Sequence, residues 1–388
     1  MRRWLLLLLL AGLSGCSLFE SEQEGPTLPT DMSRRADGGT STAWPAPLPR
    51  DEAMRRIARL LPAYAKDRVG WAGDLHTALE HLGIPHATQT YCAAIAIIEQ
   101  ESSFQADPSV PGLPRIVRHE LVEREERYRI PKIVVDAALQ KTSPDGRSYE
   151  QRIAALKTES QVNTLFEDMI GELPFGKALF GGFNPIRTGG PMQVSIAFAE
   201  QHTATRGYPY PIDKNIRAEV FSRRGGVYFG VAILLDYPVT YDRIVYRFAD
   251  FNAGRYSSRN AAFQSALGTI AGRKLLADGD LLRYEDGKPA WEPSEVETAL
   301  FEIGRQLDMS RPQIRRDLLL EKSEAFSRSP LYERVFALAD TTAGKQLPRQ
   351  AMPRILLKSP KITRHLTTEW FAKRVEGRYR SCLKRSSG

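Results

Sequence analysis

One glutamate has the surroundings that a catalytic proton donor needs. Glu101 follows residues 91–98, a run that is apolar on nearly every helical face and therefore predicts a buried helix. Burial of its carboxyl group at the negative end of that helix would raise its pKa toward neutrality. A carboxyl group with such a pKa can donate a proton at neutral pH, which makes Glu101 a candidate general acid. The alternative is a helix-end glutamate that faces solvent.

Two later segments contain further candidate residues. Residues 189–194 (GGPMQV) follow a glycine-rich loop, and residues 248–254 (FADFNAG) end a predicted helix. Together with Glu101-Ser102 they resemble, in the same order, the three motifs of the lytic transglycosylases with a lysozyme-like fold. Those motifs are Glu-Ser, Gly-Leu-Met-Gln and Ala-x-Tyr-Asn-Ala-Gly. The wider chain also resembles a proteobacterial lipoprotein family of unassigned function, domain of unknown function 1615, notably in residues 70–72 (GWA).

The transglycosylase resemblance implies a role for each motif residue. Glu101 would be the single acid/base, protonating the glycosidic oxygen and then accepting the proton of the sugar C6 hydroxyl. The residues that would bind the substrate are Ser102, Met192, Gln193, Phe251, Asn252 and Gly254. The substrate would be the MurNAc–GlcNAc strand of peptidoglycan and the product a 1,6-anhydro end, with no cofactor and no metal.

The sequence also departs from these motifs. Phe251 replaces the family's tyrosine, and about residues 108–186 are inserted between the first two motifs, as a lid or as a surface for a protein partner. These departures favour an alternative: a non-catalytic peptidoglycan-binding or scaffold lipoprotein with an inherited groove. A third alternative is a plain muramidase, in which Asp250 or Asp107 assists the attack of water.

The histidines offer little support for a metal site. His76 and His81 are five residues apart and therefore lie on different faces of a predicted helix. The run from His119 to Glu123 (HELVE) has a glutamate where the zinc-protease pattern needs its second histidine. A charged, solvent-facing helix explains that run better.

The elements that must position these residues are helices. Apolar periodicity predicts helices over residues 51–61, 71–82, 91–100, 192–201, 217–236 and 241–251. A small hairpin is predicted over 282–291, and helix starts are predicted at Ser294 and Ser329. The fold class is therefore mostly α. The resemblance implies a goose-type, lysozyme-like domain over 49–274, followed by a helical C-terminal region over 275–388.

The N-terminal sequence has the pattern of an export signal. Residues 4–10 are apolar but too few to span a bilayer, and they lead to Leu-Ser-Gly-Cys, which resembles the bacterial lipobox. We expect residues 1–15 to be removed and Cys16 to carry the lipid anchor. Ser17 then points, by resemblance to Gram-negative sorting, to the periplasmic face of the outer membrane. The composition of residues 16–48 is typical of a flexible tether.

Composition narrows the classes of partner. The chain carries 54 Lys plus Arg against 46 Asp plus Glu and is 42% hydrophobic, which excludes disorder of the whole chain. Outside the cytoplasm, its positive charge suits anionic wall glycan or lipid headgroups rather than nucleic acid. Three cysteines exclude a dense disulfide scaffold. Cys92 and Cys382 could pair in an oxidising periplasm, or Cys92 could be a small buried apolar residue.

Overall fold

The computed structural model describes residues 48–172, 184, 186–285, 287–357 and 366–386. Cys16, the expected signal and nearly all of the expected tether lie outside these residues. The described part is mostly α-helical, as predicted. Its α-helices are α1 (Arg50–Leu60), α2 (Arg68–Leu82), α3 (Thr88–Glu101), α4 (Leu113–Tyr128), α5 (Lys132–Gln140), α6 (Tyr149–Ala154), α7 (Glu159–Glu172), α8 (Ile196–Arg206), α9 (Ile216–Phe221), α10 (Arg223–Leu235), α11 (Val245–Ala253), α12 (Ser257–Ala271), α13 (Glu295–Glu302), α14 (Arg311–Leu318), α15 (Pro330–Ala343) and α16 (Thr368–Arg385), with a short 3-10 helix at Glu324–Arg328.

Short antiparallel ribbons complete the described elements. They are β1 (Thr188–Gly189) with β2 (Val194–Ser195), β3 (Tyr284–Glu285) with β4 (Lys288–Pro289), and β5 (Leu356–Leu357) with β6 (Leu366–Thr367). The β3–β4 pair, in which Tyr284 faces Pro289, confirms the predicted hairpin. None of the described helices combines the length and the apolar character needed to cross a bilayer.

The first hydrophobic core surrounds α3. The apolar run over residues 91–98 is buried along its whole length, as the sequence predicts for a helix that is apolar all round. The last helix, α16, returns to this core through Phe371 and Val375. A disulfide between Cys92 and Cys382 joins α3 to α16 across 290 positions of sequence. The helix that ends in Glu101 is therefore held by the C-terminal end of the chain.

A second core lies between α12 and α15. Phe263, Leu300, Phe326 and Phe336 are buried in it, and none of them belongs to the first core. The buried Arg259 guanidinium closes one side by donating to the backbone carbonyls of residues 321 and 323. The helices from α12 to α15 thus share a core of their own, and α16 then returns to the first core.

Three predicted helices begin or break elsewhere, and one of them, predicted over 241–251, runs from Val245 to Ala253. The helix predicted over 192–201 begins only at Ile196, because Ser195 caps it by accepting a hydrogen bond from the Phe198 backbone amide at 3.3 Å. Residues 191–193 form a turn instead. The helix predicted over 217–236 is two helices, because Ser222 caps the second by accepting from the Gly225 amide. In contrast, the predicted caps at Ser294 and Ser329 are confirmed.

Candidate functional site

The carboxyl group of Glu101 lies at the C-terminal end of α3. The residue is half-buried, and in the described part of the chain no hydrogen bond reaches its carboxyl group. Burial, reinforced by the negative charge of Glu159, raises the pKa of Glu101 to about 8, while the Arg378 guanidinium opposes the rise. Glu101 is therefore mostly protonated at neutral pH, as the sequence analysis expects of a general acid.

Glu159 supplies a second carboxylate beside Glu101. It is the first residue of α7 and only 5% exposed, in the turn where a helix macrodipole favours negative charge. The Gln193 amide donates to Glu159 Oε2 at 3.1 Å. Glu159 thus interacts with two motifs. Its charge acts on Glu101 of the first motif, and its carboxylate accepts a hydrogen bond from Gln193 of the second.

The chain that follows Glu101 also holds α7 in place. Asp107 accepts hydrogen bonds from the Thr158 hydroxyl and the Ser160 backbone amide, which flank Glu159. The Val110 amide donates to the Lys157 carbonyl at 2.7 Å. Asp107 therefore helps to position the start of α7. In the muramidase alternative, the same residue would assist the attack of water.

Strained backbone surrounds these two carboxyl groups. Ser103, Phe104 and Gln193 have φ values of 50°, 61° and 51°, and they are three of the seven non-glycine residues with positive φ among those described. Such conformations disfavour residues with side chains and persist only where the surrounding structure enforces them. Their concentration on both sides of the Glu101–Glu159 pair marks this region as a candidate functional site.

Two of the three other predicted ligands in the first two motifs, Ser102 and Met192, are buried. Ser102 is 5% exposed, and its hydroxyl donates to the Ile98 carbonyl at 3.0 Å. Met192 is fully buried against Gly230, whose backbone it approaches so closely that a Cβ atom would not fit. Gln193 remains half-buried. Of these three predicted ligands, only Gln193 retains appreciable contact with solvent.

Residues 248–252 of the third motif are also buried, and the polar side chains among them form hydrogen bonds with protein groups. The Thr368 hydroxyl donates to Asn252 Oδ1 at 2.9 Å, which ties α11 to the start of α16. Phe251 packs in the first core, and Gly254 ends α11 with a φ of 104°. The side-chain hydrogen bond of Asn252 therefore goes to α16 and not to Glu101, Glu159 or Gln193.

Asp250, the other carboxyl group of the muramidase alternative, has a full set of donors. Its Oδ2 accepts from the hydroxyls of Tyr237 and Tyr241 at 3.1 and 2.7 Å and from the Tyr256 amide at 3.0 Å. Its Oδ1 accepts from the Ser258 amide at 2.7 Å. Fully buried, Asp250 connects α11 to α12 and presents no surface to a substrate.

The C-terminal helix adds a positive charge at the end of α3. Arg378 donates through Nε to Gln100 Oε1 at 3.1 Å, and its Nη1 lies 3.6 Å from Glu99 Oε1. With the disulfide, this contact fixes α16 against α3. Arg378 limits how far the pKa of Glu101 can rise.

Sequence reasoning missed Glu159 and Arg378. A local signal existed for the first, since Thr158 and Gln161 have the spacing of a helix-capping pair, and the Gln161 amide does donate to the Thr158 hydroxyl. That pattern marks where α7 begins but not what its first residue faces. Arg378 has no such signal, because it reaches Glu101 only through tertiary packing.

Comparison with known proteins identifies the family. Residues 64–385 match the family described as "Protein of unknown function (DUF1615)". The chain is 49% identical over 350 residues to the "Uncharacterized protein YaiW" of Escherichia coli (strain K12), a match that covers 89% of this chain and 94% of that protein. No solved structure matches the chain. This chain therefore belongs to the DUF1615 family.

Proposed function

We propose that the protein cleaves the glycan strands of peptidoglycan, with Glu101 as the general acid. The observation that carries the proposal is a half-buried carboxyl group with a pKa of about 8 beside a second carboxylate and strained backbone. Perturbed carboxyl groups in such surroundings concentrate at functional sites. The order of the three motif segments supports a glycan as the substrate.

The reaction that suits this pair is intramolecular. Glu101 donates its proton to the oxygen between MurNAc and GlcNAc, the bond to the sugar C1 breaks, and the leaving sugar takes the proton. The ring then carries positive charge, which a neighbouring carboxylate such as Glu159 stabilises. Glu101, now ionised, accepts the proton of the C6 hydroxyl as that oxygen bonds to C1, which forms a 1,6-anhydro end.

Hydrolysis is a second candidate, and Glu159 is the reason. Inverting glycosidases use one carboxylic acid to protonate the leaving oxygen and a second carboxylate to activate water. Glu159 supplies a second carboxylate from α7, outside the three motifs. The two reactions differ in product, because anhydro fragments are lighter than hydrolysed fragments by one water.

The test is digestion of isolated peptidoglycan by the purified protein, followed by mass spectrometry of the released fragments. We expect anhydro fragments from the parent and at least an about hundredfold slower release from Glu101→Gln, the effect of removing a general acid. Glu126→Gln is the matched control, since Glu126 is exposed on α4.

Each other result has a defined meaning. Hydrolysed ends that disappear in both Glu101→Gln and Glu159→Gln would assign the reaction to the hydrolytic candidate. Equal release by the parent and Glu101→Gln would reject Glu101 as the acid. Wall binding with no release from several peptidoglycan preparations would reject cleavage and favour the non-catalytic wall-binding alternative.

The proposed location is the periplasmic face of the outer membrane, through a lipid on Cys16. The basis is the lipobox-like sequence before Cys16 and the serine after it. Cells expressing the parent should incorporate a palmitate analogue into the protein, and cells expressing Cys16→Ser should accumulate an unlabelled precursor. Equal labelling of the two proteins would reject the anchor.

A further inference from the structure

Three potential metal ligands meet at the end of α3 opposite to Glu101. They are His76, Glu80 and His86, and one ligand atom from each lies within 4.8 Å of the other two. His86 Nε2 and Glu80 Oε2 are 3.1 Å apart. The imidazole rings of His76 and His86 have centroids 4.8 Å apart. His81 lies on another face of α2, whereas the fold brings His76 beside Glu80 and His86.

Local chain geometry explains this meeting. His76 and Glu80 are four residues apart in α2 and so lie on the same face of that helix. The helix ends at Gly83, which adopts a left-handed conformation with φ of 66°. The chain then reverses, and His86 returns to the last turns of α2 just before α3 begins.

The donor set favours a particular kind of ion. Two imidazoles and one carboxylate form a three-ligand set that binds zinc and similar divalent transition metals and leaves a position for water or another ligand. At the usual zinc–ligand distances of about 2.0–2.2 Å, neighbouring tetrahedral ligand atoms lie about 3.3 Å apart. The pair formed by His86 and Glu80 already has this separation. Each of the other two separations, which involve His76, is at most 4.8 Å and must shorten by no more than about 1.5 Å.

A supporting hydrogen bond prepares His86 to bind a metal. Its Nδ1 lies 3.2 Å from the hydroxyl of Tyr91, a buried residue of α3. With a metal ion bound at Nε2, the proton of His86 resides on Nδ1, from which it can be donated to the Tyr91 hydroxyl oxygen. Metal-binding histidines almost always have such a partner on the second ring nitrogen.

The imidazole of His76 is held in place beside the other two ligands, because it is buried on α2 with 7% of the residue exposed. A neutral imidazole is the form that binds metal, because the proton and the ion compete for the same lone pair. The carboxylate of Glu80 offsets part of the ion's charge and remains open to solvent, with 68% of its side chain exposed.

We propose that His76, Glu80 and His86 form a binding site for one divalent transition-metal ion, with zinc as its representative. The 14 residues of α3 separate the two ends of that helix by about 20 Å, so this site is distinct from the Glu101–Glu159 pair. The proposal does not depend on glycan cleavage.

Calorimetric titration of the purified, metal-stripped protein with Zn²⁺ near pH 7.5 tests the site. We expect one ion per chain and a raised unfolding temperature on addition of Zn²⁺. Tyr91→Phe should weaken the affinity about 10–100-fold, as is typical when a ligand's supporting hydrogen bond is lost. His86→Gln should weaken it more, and Mg²⁺ should not compete, because it prefers oxygen ligands.

A substitution at the exposed Glu80 separates loss of a metal ligand from misfolding. Glu80→Gln changes an exposed side chain, so the protein should remain folded by circular dichroism while its affinity for Zn²⁺ falls at least about tenfold. His81→Gln, one position further along α2, is the matched control and should bind as the parent does. Absence of Zn²⁺ binding by the parent, unchanged affinity in Glu80→Gln and His86→Gln, or an equal loss in His81→Gln would each overturn the proposal.

Discussion

Glu101 and Asp250 are two carboxyl groups in motif-like segments, and their surroundings differ in one decisive respect. Burial raises the pKa of both groups. Asp250 accepts four hydrogen bonds, whereas in the described part of the chain the Glu101 carboxyl group accepts none and faces the like charge of Glu159. A buried carboxyl group with its donors in place stabilises the fold. One without them is available for chemistry, which is why the first region is the candidate site.

The backbone supports the same distinction. Around Glu101, Ser103 and Phe104 adopt positive φ values, and the ring of Phe104 is held edge-on against Trp71 at 5.3 Å. Around Asp250, Tyr256 is a non-glycine residue with a positive φ, and its backbone amide donates to the carboxylate. The unusual backbone conformation near Asp250 thus places a hydrogen-bond donor on its carboxylate. The unusual backbone conformations near Glu101 place no such donor on the Glu101 carboxyl group in the described part of the chain.

The largest expected effect is the loss of stability in Asp250→Ala. Removal of the carboxylate leaves four donors without their acceptor, and about 1 kcal/mol or more for each predicts a fall of more than about 4 kcal/mol in the free energy of unfolding. Urea denaturation followed by circular dichroism measures it. Asp242→Ala, at an exposed position nearby, is the control. A fall of less than about 1 kcal/mol would contradict the conclusion that Asp250 stabilises the fold through its four hydrogen bonds.

The disulfide should have the next largest effect, because it fastens the Glu101 helix to α16. Replacement of both Cys92 and Cys382 by alanine should lower the free energy of unfolding by about 2–4 kcal/mol. Addition of a reducing agent should destabilise the parent by a similar amount and leave the double variant unchanged. If the double variant responds to the reductant as the parent does, the effect has another source.

A pH-dependent difference should distinguish Glu101 from a solvated glutamate. Its pKa is about 8 in the folded protein, against 4.5 for a solvated glutamate, so the folded state holds the proton more tightly and the free energy of unfolding declines as pH rises from 4.5 to 8. Relative to Glu101→Gln, the parent should lose up to about 1.4 kcal/mol per pH unit between pH 5 and 7. Glu126→Gln should parallel the parent. Parallel curves for the parent and Glu101→Gln would contradict the raised pKa.

The smallest expected effect is a shift in the titration of Glu101 when Glu159 loses its charge. Glu159→Gln keeps an acceptor for the Gln193 amide but removes the like charge, so the pKa of Glu101 should fall by up to about one unit, or 1.4 kcal/mol. Carbon NMR of the Glu101 carboxyl group measures this directly. In glycan release, the alkaline limb of the pH profile should move to lower pH. An unchanged titration would mean that burial alone raises the pKa.

Local sequence pattern was sufficient for several features. The apolar run before Glu101 predicts both a buried helix and a raised carboxyl pKa, and the structure has both. The caps at Ser294 and Ser329 were predictable because a cap depends on residues only three positions away. The start of α8 was missed because the turn at Gln193 requires a positive φ, which favours glycine over residues with side chains.

The amino-acid pattern alone is therefore enough to predict the mostly α class, the burial of α3 and the position of Glu101 at its end. In contrast, the effect of the Glu159 charge on Glu101 and the pairing of Cys92 with Cys382 follow from tertiary packing. The two kinds of feature differ in how far apart in sequence the interacting residues are. Helix periodicity and capping are set by neighbours three or four positions away, whereas these contacts depend on how whole helices and turns pack.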